Sequence, residues 1–360
     1  MRIFKYPFCT CMAAVMLASC GALQPTGESP AAMPWSSVSA GYVGQHRPPM
    51  SLQARNNDLL YVSNESGDVF YYTYPGGRFV GSIQDGGRSG LCSDSRGDVF
   101  IVDDYTQEIQ EYPHGSNDMT NTLDDYGNYP YGCSVDPTTG DLAVAGGIGK
   151  STANIAIYKS AQGLPAFYMA PSLFSFYYCT YDEQGNLFIE GEDNHRHAVL
   201  AELAKNGASL SIISLNRELS RGAAAIEWDG TYLAVAVPKK TAGPTDIYQV
   251  RVSGHFGTVV NTIELRDGGD LDRHGGASAQ FWLQGNTIIE PKVPVRGIGL
   301  WSYPAGGRPK KLIRLGNARA WGITVSLASF STRCTTQKIT SDTAARSRPS
   351  RRTCRGTTAL

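Results

Sequence analysis

Two short patterns recur six times each along the chain, always in the same order, and this repetition restricts the fold more than any other feature. The first is a turn followed by an apolar run. Asn57-Asp58 precedes Leu59-Leu60-Tyr61-Val62, Gly97-Asp98 precedes Val99-Phe100-Ile101-Val102, and Gly140-Asp141 precedes Leu142-Ala143-Val144. Gly185-Asn186, Asp229-Gly230 and Gly285-Asn286 open the other three, ahead of Leu187, Thr231 and Thr287. Counted from Asn57 and the five glycines, the spacings are 40, 43, 45, 45 and 55 residues. The second pattern marks the end of a following strand, at Tyr74, Tyr112, Tyr158, Leu203, Val252 and Tyr303. Three of these open near-identical turns: Tyr74-Pro75-Gly76-Gly77, Tyr112-Pro113-His114-Gly115 and Tyr303-Pro304-Ala305-Gly306-Gly307.

Each unit has room for four short strands, A to D, joined by hairpins. In the second unit these fall near 90–94, 98–103, 107–112 and 119–123. The 40 Gly, 19 Pro and 19 Tyr suit strands and tight turns rather than long helices. One such sheet would expose both faces, and stacking the units around an axis buries them. The expected fold is all-β: a six-bladed β-propeller of four-stranded blades over residues 55–326. The first unit lacks a strand A, and Trp321-Gly322-Ile323-Thr324-Val325-Ser326 follows the sixth as a lone one. This strand is predicted to pair beside Leu59–Ser63, closing the ring and removing open edges. Strand A should line a narrow channel, and small residues occur there: Gly90, Gly132-Cys133, Cys179, Ala223-Ala224-Ala225, Ala277-Ser278-Ala279 and Gly322.

The second unit reads Asp94-Ser95-Arg96-Gly97-Asp98-Val99-Phe100-Ile101-Val102-Asp103, then Ile109 and Tyr112. This resembles the NHL-type repeat, departing from it at Glu108, where that repeat usually has Arg. More closely, the chain resembles a group of uncharacterised bacterial secreted or lipoprotein propellers with NHL-like repeats, through the Tyr-Pro-x-Gly-Gly and Gly-Cys-Ser-Val-Asp turns. The resemblance covers residues 55–326 and implies the fold. It leaves the activity open, because propellers host binding, hydrolysis and lyase chemistry alike.

Residues 1–20 read as a lipoprotein signal peptide. Arg2 and Lys5 precede an apolar stretch from Tyr6 to Leu17, too short to span a membrane, and Leu17-Ala18-Ser19-Cys20 follows. This matches the bacterial lipobox, which implies thioether lipidation of Cys20 and cleavage before it; an ordinary leader with a chance cysteine is the plainer alternative. The expected location is the extracytoplasmic cell envelope, held to the membrane by the anchor. Gly21, rather than Asp, favours the outer membrane where there are two. Residues 21–54, rich in Pro, Gly, Ser and Ala, read as a flexible tether, and 327–360 as a basic disordered tail. From Ser331 onward there are seven basic residues and one acidic. Without these and the leader's Arg2 and Lys5, 23 basic and 31 acidic residues remain. That acidic balance argues against a nucleic-acid partner, and a monomer is expected.

Cysteines after Cys20 are Cys92, Cys133, Cys179, Cys334 and Cys354. The odd number argues against a fully paired framework. Cys133 and Cys179 each stand three residues before an Asp, at equivalent places on adjacent units. Buried small thiols are the expectation, ahead of a bridge, a metal pair or a Cys–His nucleophile.

Candidate ligand-binding residues lie in the B–C and D–A connections, which form one rim. Strand B ends in Asp103-Asp104, in Glu190 with Glu192-Asp193-Asn194-His195, and in Glu290. Asp103, Glu190 and Glu290 could hold a hard cation such as calcium, although no cofactor is predicted. His195 and His197 make a poor zinc pair, and no strong metal motif occurs. Asp124-Asp125-Tyr126-Gly127-Asn128-Tyr129 and Phe174-Ser175-Phe176-Tyr177 add aromatics suited to a sugar or peptide, or to blade packing. Arg217, Arg221, Arg266, Arg296 and Arg319 fall in the same connections. With no nucleophile–base pair in view, the leading expectation is a membrane-anchored scaffold binding a small molecule, glycan or protein. The alternative is a metal-dependent hydrolase of lactonase or esterase type using Asp103, Glu190 and Glu290. A third reading is an envelope assembly protein with a Tyr-rich outer surface.

Overall fold

The alternation of apolar residues along each strand decides the architecture. A computed structural model of the chain describes residues 51–125, 127–147, 153–170, 173–219, 225–237, 245–267, 279–292, 297–315 and 319–328. The leader with Cys20, Tyr126, Arg221, Arg296, Cys334, Cys354 and the tail beyond 328 lie outside the described residues.

The described chain is all-β, built from antiparallel groups of four strands. Strands β1 (Leu59–Asn64), β2 (Val69–Thr73) and β3 (Phe79–Ile83) share a sheet with β24 (Ala320–Ser326). The second group is β4 (Leu91–Ser93), β5 (Val99–Asp103), β6 (Glu108–Tyr112) and β7 (Asn121–Asp124). The third is β8 (Pro130–Val135), β9 (Leu142–Gly146), β10 (Ala153–Tyr158) and β11 (Ala166–Ala170). The fourth is β12 (Leu173–Tyr181), β13 (Leu187–Asp193), β14 (Ala198–Leu203) and β15 (Ser211–Leu215). The fifth is β16 (Ile226–Trp228), β17 (Leu233–Val237), β18 (Thr245–Ser253) and β19 (Phe256–Leu265). The sixth is β20 (Trp282–Gln284), β21 (Thr287–Lys292), β22 (Gly297–Ser302) and β23 (Gly306–Arg314). Short parallel contacts, β15 with β19 and β19 with β23, link the last three groups at their outer strands. The C-terminal strand pairs where the sequence predicts: Leu59 faces Ser326 and Leu60 faces Val325.

Four of the second strands, β1, β5, β9 and β17, are buried along their whole length, and β13 is buried up to its last residue. The reason is that both faces meet a neighbouring sheet. Phe100 and Val102 of β5 join Leu142 and Val144 of β9 in one core, while Val99 and Ile101 join Leu59 and Tyr61 in another. Ala143 and Ala145 of β9 in turn join Leu187 and Ile189 of β13. A strict period of two therefore feeds two cores from one strand. The outermost strands, such as β7 and β15, bury only alternate residues.

The first strands touch in succession: β24 with β4, β4 with β8, β8 with β12, β12 with β16, β16 with β20 and β20 with β24. Glycine permits the closest of these approaches. A Cβ on Gly90 would lie 2.6 Å from the Tyr131 carbonyl oxygen and 2.9 Å from the Gly132 Cα. A Cβ on Gly322 would lie 2.9 Å from the Gly90 Cα. Gly90 N–H donates to Tyr131 O at 2.6 Å, so these strands are in backbone contact.

That closeness corrects the expectation of unbridged thiols. Cys92 and Cys133 form a disulfide between β4 and β8, with Cα atoms 5.6 Å apart. Cys179 alone among the described cysteines is free, and it is buried. A second difference concerns the start of the domain. Ser51–Arg55, assigned by sequence largely to the tether, includes a helical turn, α1 (Leu52–Arg55), whose Ala54 is buried. The ring Nε2 of His114 lies 2.9 Å from the Ala54 carbonyl oxygen and fastens this segment to the sheets.

Candidate functional site

The ends of the second strands, where the sequence points to carboxylates, are built mainly by turn chemistry. Asp103 closes β5 and accepts from the Tyr105 N–H at 3.0 Å and the Thr106 hydroxyl at 2.9 Å. Asp193 closes β13 and accepts from the N–H groups of His195 and His197 at 2.7 and 2.9 Å. Asn64 does the same for β1, accepting from Ser66 N–H and Asp68 N–H. These are Asx turns, in which a short side-chain acceptor folds onto its own backbone. Asn64 serves equally well, so the turn needs an acceptor and not a charge.

Glu190 and Glu290 go elsewhere. Both are fully buried between sheets. Glu290 accepts from the Thr245 hydroxyl of β18 at 2.7 Å, and its other carboxylate oxygen has no hydrogen-bond partner among the described residues. Burial pushes its carboxyl up to about 8, against a smaller opposing effect of that hydrogen bond. Among the described residues, no three His, Cys, Asp or Glu side chains are grouped to hold a metal ion. His195 and His197 are exposed, with ring centroids 6.1 Å apart. Asp124 and Tyr129 are exposed, while their neighbour Asp125 is buried and raised to about 7 by that burial. Of the arginines, Arg217 stacks over Tyr248 at 4.7 Å, Arg266 lies 3.8 Å from Glu264, and Arg319 lies 4.0 Å from Glu65.

Two of the described candidates line pockets: Arg217 borders an open polar one with Asn216, Asn261 and Thr262, and Asp104 a more enclosed aromatic one. A cavity of about 270 Å³ opens among the first strands. Trp321, Tyr131 and Tyr178 supply its aromatic surfaces, Ser89-Gly90 its backbone, and Arg88, Asp104 and Glu65 its charge. Arg88 Nε donates to Asp104 Oδ1 at 2.9 Å, which holds the guanidinium more firmly charged, and the guanidinium stacks over Tyr105 at 5.2 Å. Burial, aided by the Asp104 charge and opposed by Arg88, pushes the Tyr131 phenol up to about 12. Tyr131 meets Tyr177 edge to face at 5.2 Å, and the Tyr177 hydroxyl donates to Glu192, which also accepts from Arg196 at 2.9 Å. A polar relay thus supports the aromatic wall from behind. Beside Gly90, Gln280 accepts from the N–H groups of Leu91 and Ile323 and donates to Leu91 O, tying β4 to β24.

Most of these lining residues escape the sequence-based reading. A signal for them exists: Trp321-Gly322, Ser89-Gly90 and Tyr131-Gly132 each place one residue just before a glycine of a first strand. The glycine allows the backbones to close up, and the preceding position faces the space above. In the second unit that position is Ser89 and not an aromatic, which leaves room for the pocket.

The arrangement offers flat apolar faces beside a neutralised charge pair, a combination that binds and orients a ligand. No protein-family model and no curated protein sequence matches the chain. Solved structures do match in fold. The nidogen/laminin complex aligns with a TM-score of 0.57 at 12% identity, covering 75% of this chain and 98% of that one. A functionally unknown protein from Desulfotomaculum acetoxidans aligns at 0.53 and 11%, covering 76% and 99%. A protein of unknown function from Bacteroides caccae aligns at 0.51 and 12%, covering 75% and 99%. At such identities the likeness concerns architecture alone, and the chain has a β-propeller-like fold.

Proposed function

We propose that the chain is a secreted, lipid-anchored, six-bladed β-propeller that holds a ligand in the pocket between its inner strands, without covalent chemistry. The pocket carries the reading: three aromatic side chains line it together with an Arg88–Asp104 pair. Six blades are supported by the six groups of four strands and by the unbroken succession of first-strand contacts. An extracytoplasmic location is supported by the lipobox ending in Cys20 and by the Cys92–Cys133 disulfide, since such bonds persist in oxidising compartments.

Thermal-shift screening of the purified protein against small molecules and glycans tests the site. Ligands should raise the unfolding temperature of the wild type and not of Arg88→Ala. Shifts that survive this substitution reject the pocket. For the anchor, Cys20→Ser should abolish palmitate incorporation and release the protein from the membrane fraction; retention of both would reject lipidation. The metal-dependent hydrolase has less support, because Asp103 is engaged in its own turn and Glu290 is bonded to Thr245. Stoichiometric calcium or zinc, lost in Asp103→Ala or Glu190→Ala, would reinstate it.

A further inference from the structure

We propose that the ligand of this pocket is a neutral, hydroxyl-rich ring: a monosaccharide or a short neutral saccharide. The inference rests on the reading of the pocket as a binding site and adds the chemical class. Size sets the first limit, since about 270 Å³ lies just below the range typical of drug-sized ligand pockets and suits one or two rings.

Charge sets the second limit. The one arginine of the lining is already neutralised by Asp104 at 2.9 Å, so an anion finds no spare cation there. A cation would find both lining carboxylates already beside a guanidinium, Asp104 at 2.9 Å from Arg88 and Glu65 at 4.0 Å from Arg319. A neutral ligand suffers neither conflict. The paired guanidinium and carboxylate still offer donors and acceptors side by side at the pocket edge, with side-chain exposures of 44% and 25%. Neighbouring hydroxyls on a sugar ring, each both donor and acceptor, match such a mixed pair.

The aromatic faces set the third. Trp321, Tyr131 and Tyr178 come from three separate sheets and present large apolar area with little conformational freedom. A pyranose has a polar rim and an apolar C–H face, and that face stacks on an aromatic ring while the rim reaches the charged pair. Tyr131 is held from behind by Tyr177, whose hydroxyl is fixed by Glu192 and Arg196, so the wall is set before any ligand arrives.

The test is calorimetric titration of the purified full chain with D-glucose, D-galactose, D-mannose, N-acetyl-D-glucosamine and their β-1,4-linked disaccharides. D-glucuronate, D-glucosamine, acetate and tetramethylammonium serve as charged comparisons. At least one neutral sugar should bind, with its charged counterparts at least tenfold weaker. Arg88→Ala and Asp104→Ala, both at partly exposed positions, should each weaken binding tenfold or more without shifting the unfolding midpoint. Trp321→Phe, which keeps an aromatic face, should retain part of the affinity, and Arg217→Ala all of it. Tighter binding of a charged compound through Arg88 and Asp104 would overturn the saccharide class and leave the pocket standing. Sugar binding indifferent to both substitutions would overturn the assignment to this pocket. If no compound of any charge binds, the saccharide class and the pocket as a small-ligand site both fall.

Discussion

Asp103 shows how one residue type at one position can invite two interpretations. It ends β5 on the rim, where carboxylates suggest a metal, yet both its oxygens serve its own loop. Asn64 performs the same task at the end of β1. Asp103→Asn keeps the acceptor for the Tyr105 N–H, and the Thr106 hydroxyl can turn to accept from the new amide, so stability should stay within about 0.5 kcal/mol of wild type. Asp103→Ala removes both acceptors and should lower stability by about 1–3 kcal/mol by denaturant unfolding. Equal losses from the two substitutions would mean that the charge itself is needed. Gly322 poses the opposite problem, because its task is to have no side chain. A methyl group there would meet the Gly90 Cα and the Ser63 hydroxyl within 3 Å, and backbone cannot swing aside. Gly322→Ala should cost about 1–3 kcal/mol through overpacking, measured in the same way. An unchanged midpoint would show that β24 and β4 can separate without penalty.

At the level of strands, the fold was largely legible and the pocket was not. Continuous apolar runs bounded by Asp and Gly turns give the second strands directly, because burial on both faces demands an unbroken run. The pocket is assembled from Trp321, Tyr131 and Tyr178 on three different sheets and Ser89 in the bend before β4, all far apart in sequence. No local period links them, and the Arg88–Asp104 pair follows from a hairpin geometry that spacing alone does not fix. The disulfide was hidden because equal spacing to an Asp matches Cys133 with Cys179, whereas glycine brings β4 and β8 into contact and joins Cys133 to Cys92. The repeat then makes a prediction of its own. Cys92 stands two residues before Asp94, and Cys133 three before Asp136. In the next pair of sheets the matching residues are Ser134 and Cys179. Ser134 accepts from the Tyr181 N–H of β12, so it faces the fourth sheet. Cys179 Sγ lies 3.8 Å from Ala143 O of β9, just as Cys133 Sγ lies 3.9 Å from Phe100 O of β5. Ser134→Cys should therefore close a second inter-sheet disulfide under oxidising conditions. Peptide mass mapping should find position 134 cross-linked to Cys179. Recovery of both as free thiols would show that β8 and β12 do not repeat the geometry of β4 and β8.

Across the whole molecule, packing sheet against sheet has an electrostatic consequence. Two carboxyls buried by that packing, Glu290 and Asp125, lose water on folding. Glu290 is raised to about 8 and Asp125 to about 7, both chiefly by burial. Glu227, on β16, is raised well above its ordinary value for the same reason. In the unfolded chain such groups ionise near pH 4, so above that pH the unfolded state has shed protons that the folded state still holds. Their contribution to stability is therefore complete below about pH 4 and is lost as pH rises through the folded values. The protein should be more stable at pH 5.5 than at pH 8, with the loss accumulating steadily above pH 4 and levelling off once Asp125 and Glu290 have ionised in the folded state. Glu290→Gln keeps the shape and the acceptor for Thr245 but cannot ionise. It should match the wild type near pH 5 and exceed it at pH 8, by denaturant unfolding at each pH. A wild type that gains stability between pH 5.5 and 8 would refute the argument, because depressed carboxylates would then dominate. Under the proposed location outside the cell, the direction has a use: packed sheets whose buried acids favour the protonated state hold best when the surroundings turn mildly acidic.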